Sequence, residues 1–405
     1  MRTFDKSTKL DNVLYDVRGP VVDEAARMEE EGKEILKLNI GNPYPFGFSA
    51  PQEVILDMLS NIRTSQGYSD SKGIFSARKA IMQYAQLRNI PNVSMNDIYT
   101  GNGVSELINL CMQALLDNGD EILIPAPDYP LWTATATLAG GNVVHYVCDE
   151  QSDWYPDIDD IRSKITDKTK AIVIINPNNP TGVLYPKELL LEIIQIARES
   201  GLLIFADEIY DRLVMDGKQH ISLASLTEDV PVITLNGLSK SHCLCGYRCG
   251  WMVISGPREL TEDYRQGIIQ LTSLRLCANT MAQIVIPAAL DDMETPASMV
   301  RPGGRIYEQR EATVRELEKI DGLSFVKNDA AFYVFPKLDV KKFNITNDKQ
   351  FAHDLLDVTN ILLVPGSGFD WKDPDHFRIV MLPQADILSD AIRRMGTFLD
   401  GYKQK

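Results

Sequence analysis

The sequence predicts an α/β fold with a mainly parallel sheet, followed by a smaller α+β domain. Between about residues 98 and 235, short apolar strands alternate with helices that carry an apolar stripe. Several of these strands are continuously apolar, as expected for a sheet that is covered on both faces. After Pro302-Gly-Gly304, strands and helices no longer alternate in this way, which indicates a second and smaller domain.

The first ninety residues are predicted to contain an arm, three helices and one strand. Residues 1–20 are polar and mixed, which indicates an arm rather than a core element. A helix is expected over 21–32, where a glycine ends it, and a strand over 36–40 that runs into the turn-rich loop 41–47. Two more helices, over 53–63 and from about 74 to 88, follow from apolar residues at helical spacing.

The large domain is predicted from five apolar strands, with helices between them and after the last of them. The expected strands are 98–100, 121–124, 171–175, 202–206 and 232–235, and the expected helices are 104–116, 187–200, 257–273 and 279–290.

The smaller domain is predicted from a charged helix and several short strands near the carboxyl end. The expected helices are 305–319, 348–358 and 386–400, and the expected strands are 323–326, 331–335, 361–364 and 377–381. The domain division we expect is 1–45 for the arm and part of the small domain, 46–300 for the large domain, and 301–405 for the small carboxyl-terminal domain.

Composition limits the classes of partner and compartment. The formal charge of −15 and the pI of about 4.9 argue against non-specific binding to nucleic acid or to an anionic membrane. The sequence starts without the apolar core of a signal peptide and has no membrane-length apolar stretch, so we expect a cytoplasmic protein. The six cysteines are therefore expected to be reduced, and Cys243-x-Cys245-x3-Cys249 matches no common zinc pattern, so no metal is expected.

Polar side chains follow three of the predicted strands, where parallel sheets place their ligand sites. Asn176, Asp207 and Asn236 each come directly after a strand. A carboxylate buried at a strand end is costly unless it is paired. Asp207 is therefore either the N-cap of the following turn or the partner of a buried cation, such as a protonated pyridine nitrogen.

Other residues suit a phosphate and a flat ring. Gly103 precedes a helix, where free N–H groups form an anion site, and Arg248 could add a bidentate clamp. Tyr129, in a proline-fixed loop, could stack on a ring, although a half-buried loop aromatic explains it equally well. Lys240 could be a nucleophilic amine or an ordinary surface charge. Together these segments suggest a pocket for a phosphorylated aromatic cation that Lys240 holds covalently.

Four motifs also carry a family resemblance. Asn178-Asn-Pro-Thr-Gly182, Asp207-Glu-Ile-Tyr210, Ser239-Lys240 and Gly246-x-Arg-x-Gly-Trp251 resemble fold-type I, class I/II pyridoxal-phosphate aminotransferases, in order and spacing along nearly the whole chain. Three further segments are most similar to bacterial glutamate–pyruvate (alanine) aminotransferases: Tyr15-Asp-Val-Arg-Gly-Pro20, Leu38-Asn-Ile-Gly-Asn-Pro43 and Ser273-Leu-Arg-Leu-Cys-Ala-Asn279.

The resemblance implies pyridoxal 5′-phosphate as the cofactor and a set of residues that hold it. Lys240 would bind it covalently and shuttle protons, and Asp207 would pair with the pyridine nitrogen. The other implied contacts are Tyr210 and Asn179 at the ring oxygen, Tyr129 on the ring face, and Gly103, Val104, Ser239 and Arg248 at the phosphate. Tyr68 would reach the phosphate of a neighbouring subunit, which implies a homodimer with shared active sites.

The resemblance also implies the substrates, which are small amino acids and 2-oxo acids. Arg378 would bind the substrate α-carboxylate, helped by Gly41 and Asn179. Arg18 is a candidate to bind the second carboxylate of glutamate and to swing away for alanine, and Arg275 is a second candidate. The implied reaction moves an amino group between alanine/pyruvate and glutamate/2-oxoglutarate by a ping-pong mechanism.

Two departures from the family pattern, and several rival functions, remain open at this point. Gly237 stands where the wider family often has a phosphate-binding serine, with Ser239 or Ser241 as candidates to compensate, and loop 242–245 is unusual. An aspartate or aromatic aminotransferase, or a C–S lyase, would share the cofactor residues. A regulatory protein that binds the cofactor would need a DNA-binding domain, and residues 1–35 are too short and acidic for one.

Overall fold

The structure is a computed structural model that describes residues 3–11, 13 and 19–405. Its strands are β1 (Leu36–Lys37), β2 (Ile98–Asn102), β3 (Glu121–Ala126), β4 (Asn142–Asp149), β5 (Tyr155–Pro156), β6 (Thr169–Ile175), β7 (Leu203–Asp207), β8 (Val232–Gly237), β9 (Cys249–Ser255), β10 (Leu323–Ser324), β11 (Tyr333–Val334), β12 (Lys337–Leu338), β13 (Ile361–Leu362), β14 (Val364–Pro365) and β15 (Phe377–Val380).

The helices are distributed along the whole of the described chain. They are α1 (Pro20–Glu30), α2 (Gln52–Asn61), α3 (Phe75–Leu87), α4 (Val104–Leu115), α5 (Leu131–Leu138), α6 (Ile158–Lys164), α7 (Lys187–Ser200), α8 (Glu262–Leu274), α9 (Thr280–Ile284), α10 (Ile286–Asp291), α11 (Glu294–Val300), α12 (Arg305–Leu317), α13 (Val340–Phe343), α14 (Asp348–Thr359) and α15 (Ala385–Asp400).

An eight-stranded sheet organises the fold, in the order β2-β9-β8-β7-β6-β3-β4-β5. The neighbouring pairs from β8 to β4 are all parallel, whereas β9 runs antiparallel to both β2 and β8. Buried apolar clusters cover both faces of the sheet, which explains why its central strands are continuously apolar. The predicted mainly parallel α/β sheet is confirmed.

Several elements of the sheet region differ from the prediction. Strand β9 was not expected, because its sequence was interpreted only as a glycine-rich motif. The sequence prediction also did not include β4, α5 or α6. The single helix expected over 279–290 is divided into α9 and α10, because Pro287 in the first turn of α10 has no N–H with which to continue the preceding helix.

The carboxyl-terminal segment forms short strands of its own and takes in the start of the described chain. Strands β11, β15 and β14 make one antiparallel sheet, and β10 pairs with β12. Strand β1 pairs in parallel with β13, and α1 packs on α14 through Ala25, Met28 and Leu356. The segment before residue 45 therefore contacts the carboxyl-terminal segment, while the exact domain boundaries stay a prediction.

Within the described ranges, the structure contains no helix that combines the length and the apolar character needed to cross a bilayer.

Candidate active site

A cavity of about 160 Å³ opens at the carboxyl ends of the central strands. The neighbouring strands β8, β7, β6 and β3 all end at this edge, so the loops that follow them meet there. Ten of the residues predicted from the sequence line the cavity: Gly41, Val104, Tyr129, Asn179, Asp207, Tyr210, Ser239, Lys240, Arg248 and Arg378.

Asp207 is the buried carboxylate of the cavity. It is the last residue of β7 and is only 3% exposed. Trp132 Nε1 donates to its Oδ2 at 3.4 Å, and the Ile209 N–H donates to its Oδ1 at 3.3 Å. Burial nevertheless raises the pKa of Asp207 to about 6. A cation bound against this carboxylate would relieve the cost of its burial.

Lys240 lines the same cavity from the loop after β8. Its Nζ donates to the carbonyl oxygen of Gly41 at 2.7 Å and lies 5.9 Å from the centre of the Phe332 ring. The amine is thus held by one hydrogen bond to a backbone oxygen at the cavity wall. An aldehyde bound in the cavity would find a primary amine within it.

Gly103 and Arg248 form the anion-binding end of the site. Gly103 has a φ of +79° and caps the N-terminus of α4, and a Cβ at this position would lie 2.4 Å from an Arg248 guanidinium nitrogen. Only glycine permits this approach, which brings a guanidinium to the positive end of a helix. Val104 and Ser105 of the first turn line the cavity next to them.

The loop after β6 uses its three asparagines for different purposes. Asn176 Oδ1 accepts from the Tyr185 N–H at 2.9 Å, and Asn178 Oδ1 accepts from the Thr181 hydroxyl at 2.8 Å. These two bonds fix the loop, while Asn179 faces the cavity. The repeated Asn-Pro pattern therefore builds a rigid support for one side chain.

Arg378, on β15, is held in the cavity by hydrogen bonds to residues that are distant in the sequence. Its NH1 group donates to Asn179 Oδ1 at 2.8 Å, and its NH2 group donates to the Asn39 carbonyl at 2.5 Å. The side chain is 3% exposed, and its guanidinium lies 4.5 Å from the ring centres of both Tyr333 and Phe369. A buried guanidinium fixed in this way is suited to bind a carboxylate.

Some predicted site residues are not in the cavity lining or cannot be placed. Gly103 is adjacent to the cavity rather than part of its lining, as described above. Tyr68 is 84% exposed in the loop between α2 and α3. Arg18 lies outside the described residues. The second candidate, Arg275, does not line the cavity, because its guanidinium pairs with Glu106 and donates to the carbonyl of Thr100.

The structure explains the glycine at position 237. Gly237 ends β8, and a Cβ there would lie 2.6 Å from the carbonyl oxygen of Cys249 in β9. A serine does not fit at this point of the sheet. Of the two candidates to compensate, Ser239 lines the cavity, whereas the buried Ser241 hydroxyl is 2.9 Å from His242 Nδ1.

The unusual loop 242–245 packs away from the anion end, apart from its last residue. His242 is buried, which lowers its pKa to about 4. The Cys243 thiol faces Met299, whereas the Cys245 thiol lines the cavity and donates to the Ser239 carbonyl at 2.9 Å. The thiols of Cys243 and Cys245 therefore point to different groups, and Cys249 is buried in an apolar cluster.

Sequence analysis missed six residues that line the cavity: Ile40, Ser105, Ile175, Ile209, Cys245 and Tyr333. Ser105 follows Val104 in the first turn of α4, so the helix start could have indicated it. Ile175 and Ile209 flank predicted motifs and were recoverable from them. Tyr333 gave no local signal, because it reaches the cavity from β11, more than a hundred residues after Tyr210.

Comparison with known proteins identifies the family. Residues 33–392 match the family described as aminotransferase class I and II. The chain belongs to the class I and II aminotransferases. Aminotransferases of this family depend on pyridoxal phosphate, so the chain is a pyridoxal-phosphate-dependent enzyme, as the resemblance implied.

Two relatives and one solved structure show how similar this aminotransferase is to known proteins. The glutamate–pyruvate aminotransferase AlaA of Escherichia coli K12 is 54% identical over 404 residues and covers 100% of both chains. The alanine aminotransferase of Mycobacterium tuberculosis H37Rv is 50% identical over 404 residues, covering 100% of this chain and 94% of the relative. The crystal structure of an aminotransferase from Escherichia coli superposes with a TM-score of 0.98, at 54% identity and with 100% of both chains covered.

The cavity of this aminotransferase fits the cofactor of its family. The buried Asp207 carboxylate suits the ring cation, the Gly103–Arg248 end suits the phosphate, and the Lys240 amine suits the aldehyde. The fit depends on the chemistry of three groups that separate parts of the chain bring to the cavity: a carboxylate, an anion-binding helix end and an amine. The Gly237 and 242–245 departures leave all three groups in place.

Proposed function

We propose that this aminotransferase moves amino groups between L-alanine and 2-oxoglutarate, and between L-glutamate and pyruvate. The observation that carries the proposal is sequence identity over the full chain. The identity is 54% to a glutamate–pyruvate aminotransferase and 50% to an alanine aminotransferase. Both half-reactions would use the same cavity in turn, so the kinetics would be ping-pong.

We assign the cofactor contacts to the residues that the cavity brings together. Bound pyridoxal phosphate supplies the electron sink that makes the amino-acid α-hydrogen removable. Asp207 would keep the ring nitrogen protonated, Tyr210 and Asn179 would contact the ring oxygen, and Tyr129 would stack on the ring. The proposed phosphate contacts are Gly103, Val104, Ser239 and Arg248.

We assign substrate binding and proton transfer to the residues around the Lys240 amine. Arg378 would bind the α-carboxylate, together with the Gly41 backbone and the Asn179 side chain. Lys240, released from the cofactor, would take the α-proton at its Nζ and return it on the other side of the transferred amino group. The existing bond from Lys240 Nζ to the Gly41 oxygen supports this role, because it holds the amine at the cavity wall.

We propose a homodimer in which Tyr68 reaches the phosphate of the partner's site. Support comes from exposed apolar side chains on neighbouring elements: Leu56, Leu59, Ile62, Tyr68, Phe75, Leu274 and Leu276. Helix α2 contacts α9, and Thr280 of α9 donates to Ser69 Oγ at 3.1 Å, so these elements share one side of the molecule. Such a set of exposed apolar residues is typical of a subunit interface.

We keep three further expectations as proposals. The division at residues 45 and 300 is consistent with the separate apolar clusters of the two parts. A reducing, cytoplasmic compartment is supported by the six cysteines, which are all free thiols. Arg18 stays a candidate to bind a second carboxylate, and its substitution by alanine should change turnover with glutamate more than with alanine.

The absorption spectrum of the purified holoenzyme tests the proposed substrates. L-alanine and L-glutamate should each convert the visible cofactor band to that of the amine form, and pyruvate or 2-oxoglutarate should restore it. L-aspartate should have little effect. Lys240→Ala is the matched control, since it keeps the cavity but removes the amine.

Each rival function has its own outcome in this experiment. Conversion mainly by L-aspartate or by an aromatic amino acid would replace the proposed substrates and keep the reaction. Release of pyruvate from L-cysteine conjugates without a 2-oxo acid would indicate a C–S lyase. A protein that shows no cofactor band after added pyridoxal phosphate would contradict the enzyme function itself.

A further inference from the structure

Tyr333 makes a buried hydroxyl contact with Tyr210. The two phenol oxygens lie 2.7 Å apart, and each residue is 2% exposed. Their rings meet edge to face, with centres 5.6 Å apart and an interplanar angle of 82°. At this distance one hydroxyl donates and the other accepts. Tyr333 comes from β11 of the carboxyl-terminal segment, whereas Tyr210 follows β7 of the large sheet.

The ring of Tyr333 also supports Arg378. The guanidinium carbon lies 4.5 Å from the centre of the ring, a distance at which a cation is attracted to an aromatic face. Phe369 lies at the same distance from the guanidinium. The two rings fix the plane of the arginine, and its bond to Asn179 fixes its rotation within that plane.

The hydroxyl of Tyr333 packs against the loop that holds the lysine. A Cβ on Gly41 would lie 2.2 Å from the Tyr333 oxygen, so only a glycine allows the loop to pass so close. The carbonyl of the same glycine accepts the bond from Lys240 Nζ. Tyr333 thus contacts two cavity groups directly, Tyr210 and Arg378, and also contacts the glycine that accepts the hydrogen bond from Lys240.

We propose that Tyr333 is a positioning residue for the aminotransferase reaction: its hydroxyl donates to the Tyr210 oxygen, and its ring holds the Arg378 guanidinium in the orientation that binds a carboxylate. The proposal deepens the proposed function, because it depends on the roles assigned there to Tyr210 and Arg378. Tyr333 acts through these two residues and is not assigned a contact with the reacting atoms.

The direction of the hydrogen bond follows from what Tyr210 must do. A phenol that faces an anionic ring oxygen has to donate its hydrogen to that oxygen, so its own oxygen is free to accept. Burial, reinforced by the neighbouring Tyr333, raises the pKa of Tyr210 well above its usual value, so Tyr210 remains a neutral donor. A phenol that accepts one hydrogen bond becomes a stronger donor in the next.

The proposal predicts a spectroscopic effect of Tyr333→Phe. A weaker bond from Tyr210 stabilises negative charge at the ring oxygen less well, which favours the protonated form of the lysine–cofactor linkage. The pH midpoint of the visible absorption change of the holoenzyme should therefore rise, by about 0.5–1 pH unit for the loss of one hydrogen bond. The KM for L-alanine should change little, because the ring beneath Arg378 remains.

Two further variants separate the hydroxyl from the ring. Tyr333→Leu removes both, so it should raise the pH midpoint and also raise the KM for L-alanine by about tenfold. Tyr146→Phe is the matched control, because its buried hydroxyl donates at 2.7 Å to the Val173 carbonyl outside the cavity. This control should keep both the wild-type midpoint and the wild-type KM.

The outcomes distinguish this inference from the proposed function. A Tyr333→Phe midpoint equal to those of the wild type and Tyr146→Phe would overturn the hydroxyl role, and a lowered midpoint would reverse the donor direction. An unchanged KM in Tyr333→Leu would overturn the role of the ring. A wild-type protein without a titrating cofactor band would contradict the proposed function instead. Circular dichroism of each variant shows that it is folded before it is titrated.

Discussion

At the scale of single residues, the buried carboxyl of Asp207 lowers the stability of the cofactor-free protein at neutral pH, although the proposed function needs it. Burial raises its pKa to about 6 in the cofactor-free chain, so the folded state holds the proton more tightly than the unfolded state does. The sign follows from linkage: the carboxyl stabilises the fold fully below its unfolded pKa, and this contribution is lost as the pH rises through about 6. Above that pH the cofactor-free protein contains a buried charge whose two hydrogen bonds do not offset the cost of burial.

We therefore predict that Asp207→Asn makes the cofactor-free protein more stable at about pH 8, by roughly 1–2 kcal/mol, and that the gain disappears at about pH 4. The same variant should lower kcat of the holoenzyme by about a hundredfold or more, because a neutral amide does not keep the ring nitrogen charged. Urea unfolding of the cofactor-free proteins at the two pH values measures the first effect. Equal unfolding midpoints at pH 8 would show that the burial of this carboxylate is not costly.

Residues carried by local motifs could be predicted from the sequence, whereas those that depend on distant contacts could not. Asp207, Asn179 and Lys240 follow strand ends, so their presence at one edge follows from a parallel sheet. Arg275 was a candidate for substrate binding, but the sequence does not reveal its pairing with Glu106, 169 positions away. Tyr333 was missed for the same reason, since its partner Tyr210 lies 123 positions away.

At the scale of elements, the contact between β8 and β9 decides which residue can stand at position 237. The β9 strand was not predicted, so sequence analysis could identify Gly237 only as a departure from the family's serine. The structure gives a packing reason instead, because a Cβ at Gly237 would lie 2.6 Å from the Cys249 carbonyl and 3.1 Å from the Gly250 Cα. Both atoms belong to the backbone and cannot move aside as a side chain could.

Gly237→Ala should accordingly destabilise the protein by about 1–3 kcal/mol, the usual cost of forcing an extra methyl group into a packed site. Gly267→Ala is the matched control: it lies within α8, and its new Cβ would meet Ala114 at an ordinary 3.6 Å. That substitution should be neutral or stabilising by up to about 1 kcal/mol, because alanine favours the helix. Urea unfolding of both holoenzymes gives the comparison, and equal stability of the two variants would contradict the packing argument.

At the scale of the whole molecule, the carboxyl-terminal segment contacts the large sheet region close to Arg378, the arginine proposed to bind the carboxylate. His376, two residues before Arg378, is buried with its Nδ1 at 2.7 Å from Asp375, and Glu150 of the large sheet region lies 3.4 Å from its Nε2. Burial alone would lower the pKa of His376, but the two carboxylates together raise it. The contacts of His376 with Asp375 and Glu150 connect the start of β15 to the segment after β4, and so fix the position of Arg378 relative to the large sheet.

The sequence indicated the two parts but not how they are joined. Alternation of strands and helices predicts a sheet from local patterns, while the pairing of β1 with β13 unites residues more than three hundred positions apart. A contact between such distant segments leaves no periodic pattern in the sequence that could predict it. The proposed contact of Tyr68 across a subunit interface is a comparable case, because a single chain shows only that this side chain is exposed.

A mixture of two impaired variants tests whether the active sites are shared. Lys240→Ala removes the amine, and Tyr68→Ala removes the proposed contact to the partner's phosphate. In a mixed dimer, the site that retains Lys240 receives an intact Tyr68 from the other subunit, so one native site is restored. Random reassociation should then recover about a quarter of the native sites, since half of the dimers are mixed and each has one complete site.

The measurement is turnover of L-alanine with 2-oxoglutarate at limiting pyridoxal phosphate, before and after the two variants are dissociated and allowed to reassociate together. Each variant treated alone in the same way is the control and should gain nothing. If Tyr68 instead served the site of its own subunit, a mixed dimer would contain no complete site, and activity would stay at the average of the two separate variants. Recovery above that average therefore requires both a dimer and a contribution of Tyr68 across its interface.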